Sequence, residues 1–411
     1  MAEVLVATAI SGILLAGAVW MFGQSVDVST IATLRGDMQQ NARVAINLIY
    51  RDLLVAGTGL PNGGLQLPHP LGEPPYPQLG CDVTSSLPCW VNVGGVAPGG
   101  ASALNYYQSG TSNSWLYWVN PQDGQGAQVS QPNASTSGSV DRDPWTSTIV
   151  PTDVVTIVYK DNNYPSSWNG STASSLDQVA ATVDISGTPI KVTFDPSTNP
   201  APNDSAYGLN VGDVLFFNNT NGSAVGTVTT VESGGFVVDL NTAGDPLNFN
   251  STLFPVGQQT SGVAGGISSI QNFDKTVSPA MALGTFPSTK VFRVIVVTYY
   301  IDNYTYSYPR LMRQVNALPP TPVAQNIENL QFSYDIYDSS AGITCPNIAN
   351  PFSPPSSCNG GTTSYTPNQI SKVNIFVQAR AASQRLVGRG YSRVSMISAV
   401  SPRNLVFVDR Y

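Results

Sequence analysis

The chain is 411 residues long, carries a formal net charge of −7 at pH 7 and contains a single histidine. Charged residues are only 10% of it, against about a quarter in ordinary globular proteins, whereas Gly (37) and Pro (31) are plentiful. That balance excludes broad binding of nucleic acid or anionic lipid through bulk charge. It describes an extracytoplasmic, β-rich protein with long loops rather than a cytosolic enzyme.

The first predicted element is one long helix over residues 1–56. From Val4 to Phe22 the sequence VLVATAISGILLAGAVWMF holds no charge, and its nineteen residues span roughly 28 Å, close to the thickness of a bilayer core. The pattern then turns amphipathic without a break. Ile31, Leu34, Met38, Ala42, Ala45, Ile49 and Leu53 recur at three- and four-residue spacing, with Arg35, Asp37, Arg43 and Asp52 among them. No proline intervenes before Pro61, and Gly57 and Gly59 supply a stop. Residues 1–24 are therefore expected to form a transmembrane or filament-core half, and residues 25–56 an amphipathic half that needs a globular partner. Thr8, Gly12 and Ala16 make a small-residue stripe on one face, of the kind that lets helices approach closely. Nothing basic precedes Arg35, although an anchor needs Lys or Arg on its cytoplasmic flank. A basic leader upstream of Met1 is expected on that ground.

Residues 57–411, about 355 in number, suffice for a sizeable core and for two subdomains. Residues 58–148 read as loop-rich, because Pro61, Pro68, Pro70, Pro74, Pro75 and Pro77 forbid helix interiors and central strands. An aromatic island follows at Tyr106, Tyr107, Trp115, Tyr117 and Trp118. Alternation puts Trp115 and Tyr117 on one face of a strand, with Leu116 and Trp118 on the other. Two readings stay open: a sugar- or surface-binding platform on Trp115 and Tyr117, or a strand buried on both faces.

From residue 149 the strand signals are clear. Strands are predicted at Val154–Tyr159, Val179–Ile185, Ile190–Phe194, Val214–Phe217, Ala224–Val231 and Gly235–Leu240. Residues 241–289 carry weaker signals and include a long loop with Gly262, Gly265 and Gly266. Val291–Tyr300 is the strongest strand, then Asp302-Asn303 turns the chain and Tyr304–Tyr308 returns. Leu311–Val315, Ile327–Ile336, Lys372–Ala379 and Asn404–Val408 complete the set. Regular strands joined by turns imply antiparallel sheets, so the fold class is α+β: a long N-terminal helix on a large antiparallel head.

The four cysteines fall as Cys81 with Cys89 and Cys345 with Cys358. Four permit three connectivities; local pairing is favoured because each pair lies inside one Pro/Gly/Ser-rich loop. Disulfides imply an oxidising compartment, while His69 as sole histidine and the absence of Cys-x-x-Cys leave no zinc set. No Gly-x-Ser-x-Gly, Ser-x-x-Lys or phosphate-binding Gly-Lys loop is present, so no catalytic residue, metal or cofactor is expected. Asp153, Asp161, Asp184 and Asp213 sit at strand ends and read as turn-capping or solvated carboxylates.

Glu3-Val4-Leu5-Val6-Ala7, a glutamate heading an uncharged helix, resembles the mature start of type IV pilins and of the related type II secretion pseudopilins. Gln40-Asn41-Ala42-Arg43 and Arg51-Asp52-Leu53-Leu54-Val55-Ala56-Gly57 are similar to the end of the first helix in PilW-type minor pilins. So are Thr152–Tyr159, Val211-Gly212-Asp213-Val214, Glu328–Tyr334 and Pro402-Arg403-Asn404-Leu405, in that order along the chain.

The resemblance implies that Met1 is the third residue of the mature protein. It implies cleavage of a leader by prepilin peptidase, and a single-pass wait in the bacterial inner membrane with the head in the periplasm. Incorporation into an extracellular pilus through the N-terminal helix follows, with sibling pilins and the assembly machinery as partners. Glu3 takes an assembly role, pairing with a neighbouring subunit's N-terminal amine. The implied function is a non-enzymatic minor subunit that primes assembly or sits at the filament tip. A type II secretion pseudopilin and a tip adhesin are the alternatives, and a membrane-anchored enzyme is the remote third.

Overall fold

The computed structural model describes residues 2–60, 64–66, 115–123, 152–161, 179–184, 189–194, 201–205, 208–219, 222–241, 244–245, 247, 249–250, 289–302, 308–338, 342–351, 358, 365–382 and 391–402. One helix, α1 (Ala2–Leu54), opens it and runs 53 residues, about 80 Å at 1.5 Å per residue. The apolar spacing decides which side it buries. Met38, Ala42, Ala45, Ile46, Ile49 and Leu53 are buried, Ile31 and Leu34 half-buried, and Arg35, Asp37 and Arg43 face out. Each large side chain in that stripe contributes about 1.5–3 kcal/mol by leaving water.

The glycines end the helix as expected. Gly57 and Gly59 both sit at φ +72°, and a Cβ on Gly57 would come within 2.7 Å of the Trp118 ring. Gly57 N–H donates to Val158 O at 2.8 Å and Lys160 N–H to Thr58 O at 3.0 Å, so the turn is stitched to the sheet as it forms.

The strands in chain order are β1 (Leu65–Gln66), β2 (Trp115–Leu116), β3 (Val119–Gln122), β4 (Val154–Lys160), β5 (Val179–Asp184), β6 (Ile190–Phe194), β7 (Val214–Asn219), β8 (Gly222–Thr227), β9 (Thr230–Val231), β10 (Val237–Leu240), β11 (Thr289–Asp302), β12 (Arg310–Val315), β13 (Thr321–Gln325), β14 (Ile327–Asp338), β15 (Ile343–Ile348), β16 (Ile370–Arg380) and β17 (Arg393–Val400). Every pairing among them is antiparallel. The α+β class is thus as expected.

The 14-residue β11 organises the larger sheet. Its first half pairs with β5 on one edge and β7 on the other; its second half pairs with β4 and β12 on those same edges. Strands β5, β6, β9 and β10 extend one side, β8 lies outside β7, and β13 closes the β12 edge. A separate sheet has the order β15-β14-β16-β17, and α1 lies over β13, β16 and β17.

Two cores result. The main one holds the helix stripe with Val155, Ile157, Val296, Tyr299, Leu330, Ile375 and Val377. The second, inserted between β4 and β11, holds Val183, Val192, Phe194, Leu215, Phe217, Val238 and Val291. Strand alternation makes β7 and β11 the wall between them: Val214, Phe216, Phe292 and Val294 face the main core, and Leu215, Phe217 and Val291 the second.

Five strands were not anticipated, two of them, β1 and β3, being short pieces inside the stretch read as loop-rich. β13 carries Pro322 at the sheet edge beside a register shift, and β15 carries Pro346, so both read as loop. β17 is an edge strand whose apolar alternation is blurred by the outward Ile397, 77% exposed. The predicted Ala224–Val231 strand divides into β8 and β9, and Asn404–Val408 lies outside the described residues. Cys345 and Cys358 form a disulfide with Cα atoms 5.5 Å apart, Cys345 being on β15 rather than in a loop. Closing that segment is worth about 3 kcal/mol in the chain-entropy account. Cys81 and Cys89 lie outside the described residues.

Candidate functional site

The sequence of α1 creates two chemically opposite halves on one rod. In the first half Val4, Leu5, Val6, Ile10, Ile13, Leu14, Leu15, Val19, Trp20, Met21 and Phe22 are all more than half exposed. Among the described residues this is the one helix long and apolar enough to cross a membrane, and none of its apolar stretch is buried by the head. Its backbone hydrogen bonds close within the helix, which is what a span through lipid requires. The hydroxyl of Thr8 also turns back, 3.0 Å from Val4 O and Leu5 O, and so leaves no open polar group. Trp20 and Phe22 mark the end of the stretch, where aromatic side chains favour the boundary between apolar core and water.

Glu3 is exposed in the first turn, where a carboxylate is favoured by the helix dipole by about 0.3–1 kcal/mol. Thr8, Gly12 and Ala16 share one exposed face, and a Cβ on Gly12 meets nothing within 4 Å. The structure therefore places the stripe on a surface, with no described element of this chain against it.

The aromatic island has a different fate. Leu116, Tyr117 and Trp118 are all buried, as the reading of a strand buried on both faces expects, so Tyr117 offers no face to a ligand and its alternative reading as a surface contact is corrected. The alternation stops because Asn120 folds the chain there. Its Oδ1 accepts from Tyr117 N at 2.9 Å, and its Nδ2 donates to Tyr117 O at 2.6 Å and to Thr156 O at 3.3 Å. Trp115 is in β2, and its side chain lies outside the described residues, as do Tyr106, Tyr107 and His69.

The buried carboxylates are the second departure. Asp153, Asp161 and Asp213 are buried rather than solvated, although Asp213 does cap its turn, its Oδ2 accepting from Asn210 N at 2.9 Å. Asp153 Oδ2 accepts from Phe332 N at 2.7 Å and its own N–H donates to Leu330 O at 2.9 Å, which ties β4 to β14. Arg293 bonds Asp161 Oδ2 through Nε at 2.7 Å and Nη2 at 2.6 Å, and through Nη1 Asp213 Oδ2 at 3.1 Å and Gly208 O at 2.9 Å. This cluster sits at the seam of the two cores. Its carboxylates are spent on an arginine, so no acid–base pair is left open there.

On the helix itself, Asp52 is only 2% exposed, between Ile49 and Leu53. The Tyr299 hydroxyl donates to its Oδ2 at 2.6 Å, and Arg313 donates through Nε and Nη2, both at 2.9 Å. Arg313 Nε also reaches the Tyr299 oxygen at 3.0 Å. Sequence reasoning listed Asp52 only as a charge among the helix positions. The signal was there: an acid three residues after Ile49, inside the apolar stripe and in the last turn, where the helix dipole disfavours it.

These surroundings shift the neighbouring phenols. Burial first, then the Asp52 carboxylate, pushes Tyr299 well above its usual range and Tyr159 up to about 12. Burial likewise raises Tyr334, with Asp153 adding to it. A raised folded value means the neutral phenol is the stabilised form. The associated stability is whole below about pH 10, the unfolded value, and is lost as pH rises through the folded values. In an absorbance titration these tyrosines should stay protonated until the head unfolds in strong alkali. Ionisation of all 18 tyrosines near pH 10 in a protein still folded would contradict their burial.

Comparison of the chain with protein families, with curated proteins and with solved structures gives no match in any of the three.

Proposed function

We propose that this chain is a minor subunit of a bacterial type IV pilus, of the PilW-like kind, held in the inner membrane by residues 1–24 before assembly. The observation that carries the reading is the division of α1 without a break. Its apolar half is wholly exposed, while one face of the other half is buried against the head from Met38 to Leu53. A removable signal sequence has no need to continue into a structural helix; a filament subunit does. Exposed apolar helices from sibling subunits bury one another in the filament core, and the head rides outside on the buried half. The buried state makes a demand on Glu3, because a carboxylate taken into an apolar bundle costs several kcal/mol unless it is paired. A partner's N-terminal amine answers it. The type II secretion pseudopilin shares this geometry. The adhesin reading loses Tyr117 as a contact.

The reading is tested with Glu3→Gln in the native host at matched protein levels. Membrane insertion and head folding should persist, since neutralising the charge makes the segment more apolar. Filament number and recovery of sibling pilins in pulldowns should fall, because the partner amine is left uncompensated at about 3–5 kcal/mol. Equal piliation together with equal recovery of siblings would remove Glu3 from assembly.

A further inference from the structure

We infer that the buried Asp52–Tyr299–Arg313 cluster is a register lock, which selects one axial position of the long helix on the head. Apolar character alone does not make that choice, although the sizes of the side chains in the stripe do resist a slide. Sliding α1 by one turn, about 5.4 Å, would put Leu34, Met38, Ala42, Ala45 and Ile49 where Met38, Ala42, Ile46, Ile49 and Leu53 now lie. The stripe repeats, so most of its contacts have an apolar substitute one turn away. Asp52 has none. The same slide presents Leu48 to Tyr299 and Arg313, and the opposite slide draws the turn after Leu54 toward them. Either way the phenol and guanidinium lose a shared acceptor, and Asp52 enters apolar surroundings alone. A single buried polar group fixing register is the best-attested use of such groups between packed helices, and the physics carries over to a helix on a sheet.

The lock is placed where its effect is largest. Tyr299 is on β11, the strand around which the larger sheet is built, and Arg313 is on the neighbouring β12. Because α1 is continuous from Ala2 to Leu54, the register at Asp52 sets how far the exposed apolar half stands off from the head. A one-turn error moves the whole head by the same step relative to whatever holds that half. This inference does not depend on the filament reading. The turn at Gly57 and Thr58, bonded to Val158 O and Lys160 N, is the rival device for holding register, and the experiment separates the two.

Spin labels are placed on the full chain in detergent, one on the helix at Arg43→Cys and the other on the head at Ser395→Cys or Leu318→Cys, all solvent-facing positions. The parent should give one narrow distance for each pair. Asp52→Leu should add a second population, or shift the distances by several ångström, up to about 5.4 Å for a full turn. The charge-swapped chain Asp52→Arg with Arg313→Asp should return to narrow distances. Asp52→Leu on its own leaves Arg313 buried without its carboxylate and risks misfolding, so the apolar triple Asp52→Leu, Tyr299→Phe, Arg313→Leu is measured beside it. Replacing a buried ionic cluster by apolar residues of similar size keeps proteins folded. If that triple folds with the parental distances and widths, register is set by the Gly57 turn or by the side-chain sizes of the stripe, and the inference is wrong. A displaced or split distribution in the folded triple sustains it.

Discussion

Removal of residues 1–24 should convert a protein that needs detergent into a soluble, monomeric, folded head. Val4–Phe22 is the only long apolar run in the chain, and every large apolar side chain within it is exposed. None of it contributes to either core. The buried stripe begins near Ile31 and is complete by Leu53, so truncation before residue 25 leaves the helix–sheet contact whole. The cost is confined to solvent-exposed helical turns, whose loss frays the new N-terminus by a turn or so. The benefit in solubility is large, since exposed apolar area of this extent drives aggregation or insertion. Size-exclusion chromatography with light scattering, together with circular dichroism, decides the matter. A truncated head that remains in the membrane fraction, or elutes as large aggregates, would show that a second lipid-facing surface exists on the head.

Much of this architecture is written in local patterns. The helix stripe, its glycine stop and strands such as β4, β6 and β11 have strong periodicity and turn residues at their ends, so their signals survive without tertiary information. β13 and β15 escaped because each holds a proline that a central strand would exclude. Both lie at sheet edges, where the missing N–H is tolerated. The burial of Tyr117 was one of two open readings, because alternation says which residues share a face but not what covers that face. The buried carboxylates were misread for a deeper reason. Asp161 and Asp213 are far apart in sequence, and Arg293 lies far from both. Only the pairing of β4 and β7 on opposite edges of β11 brings them to one guanidinium. Asp52 is the instructive case on the helix. Its position in the stripe was legible, but its partners are 247 and 261 residues away, and no local rule names them.

Arg293→Met should be among the most damaging single changes in the head. The methionine keeps most of the side-chain volume and buries no new charge, so packing on β11 is largely preserved. What goes is the one group bonded to Asp161 and Asp213 together, and with it the bond to Gly208 O. Side-chain exposures are 13% for the arginine and 8% and 7% for the two acids, so water enters too little to replace it. Breaking a buried pair by removing one partner typically costs about 3–5 kcal/mol, a large share of a normal stability of about 5–15 kcal/mol. The loss falls at the seam where the second core joins the main sheet, so that inserted part should open first. Urea unfolding of the truncated head at pH 7 measures the effect. The variant should sit about 3–5 kcal/mol below the parent. Adding Asp161→Asn and Asp213→Asn to it should restore part of the loss. A gap under about 1 kcal/mol at neutral pH would mean that the two carboxylates are hydrated in solution, and that Arg293 does not hold the seam.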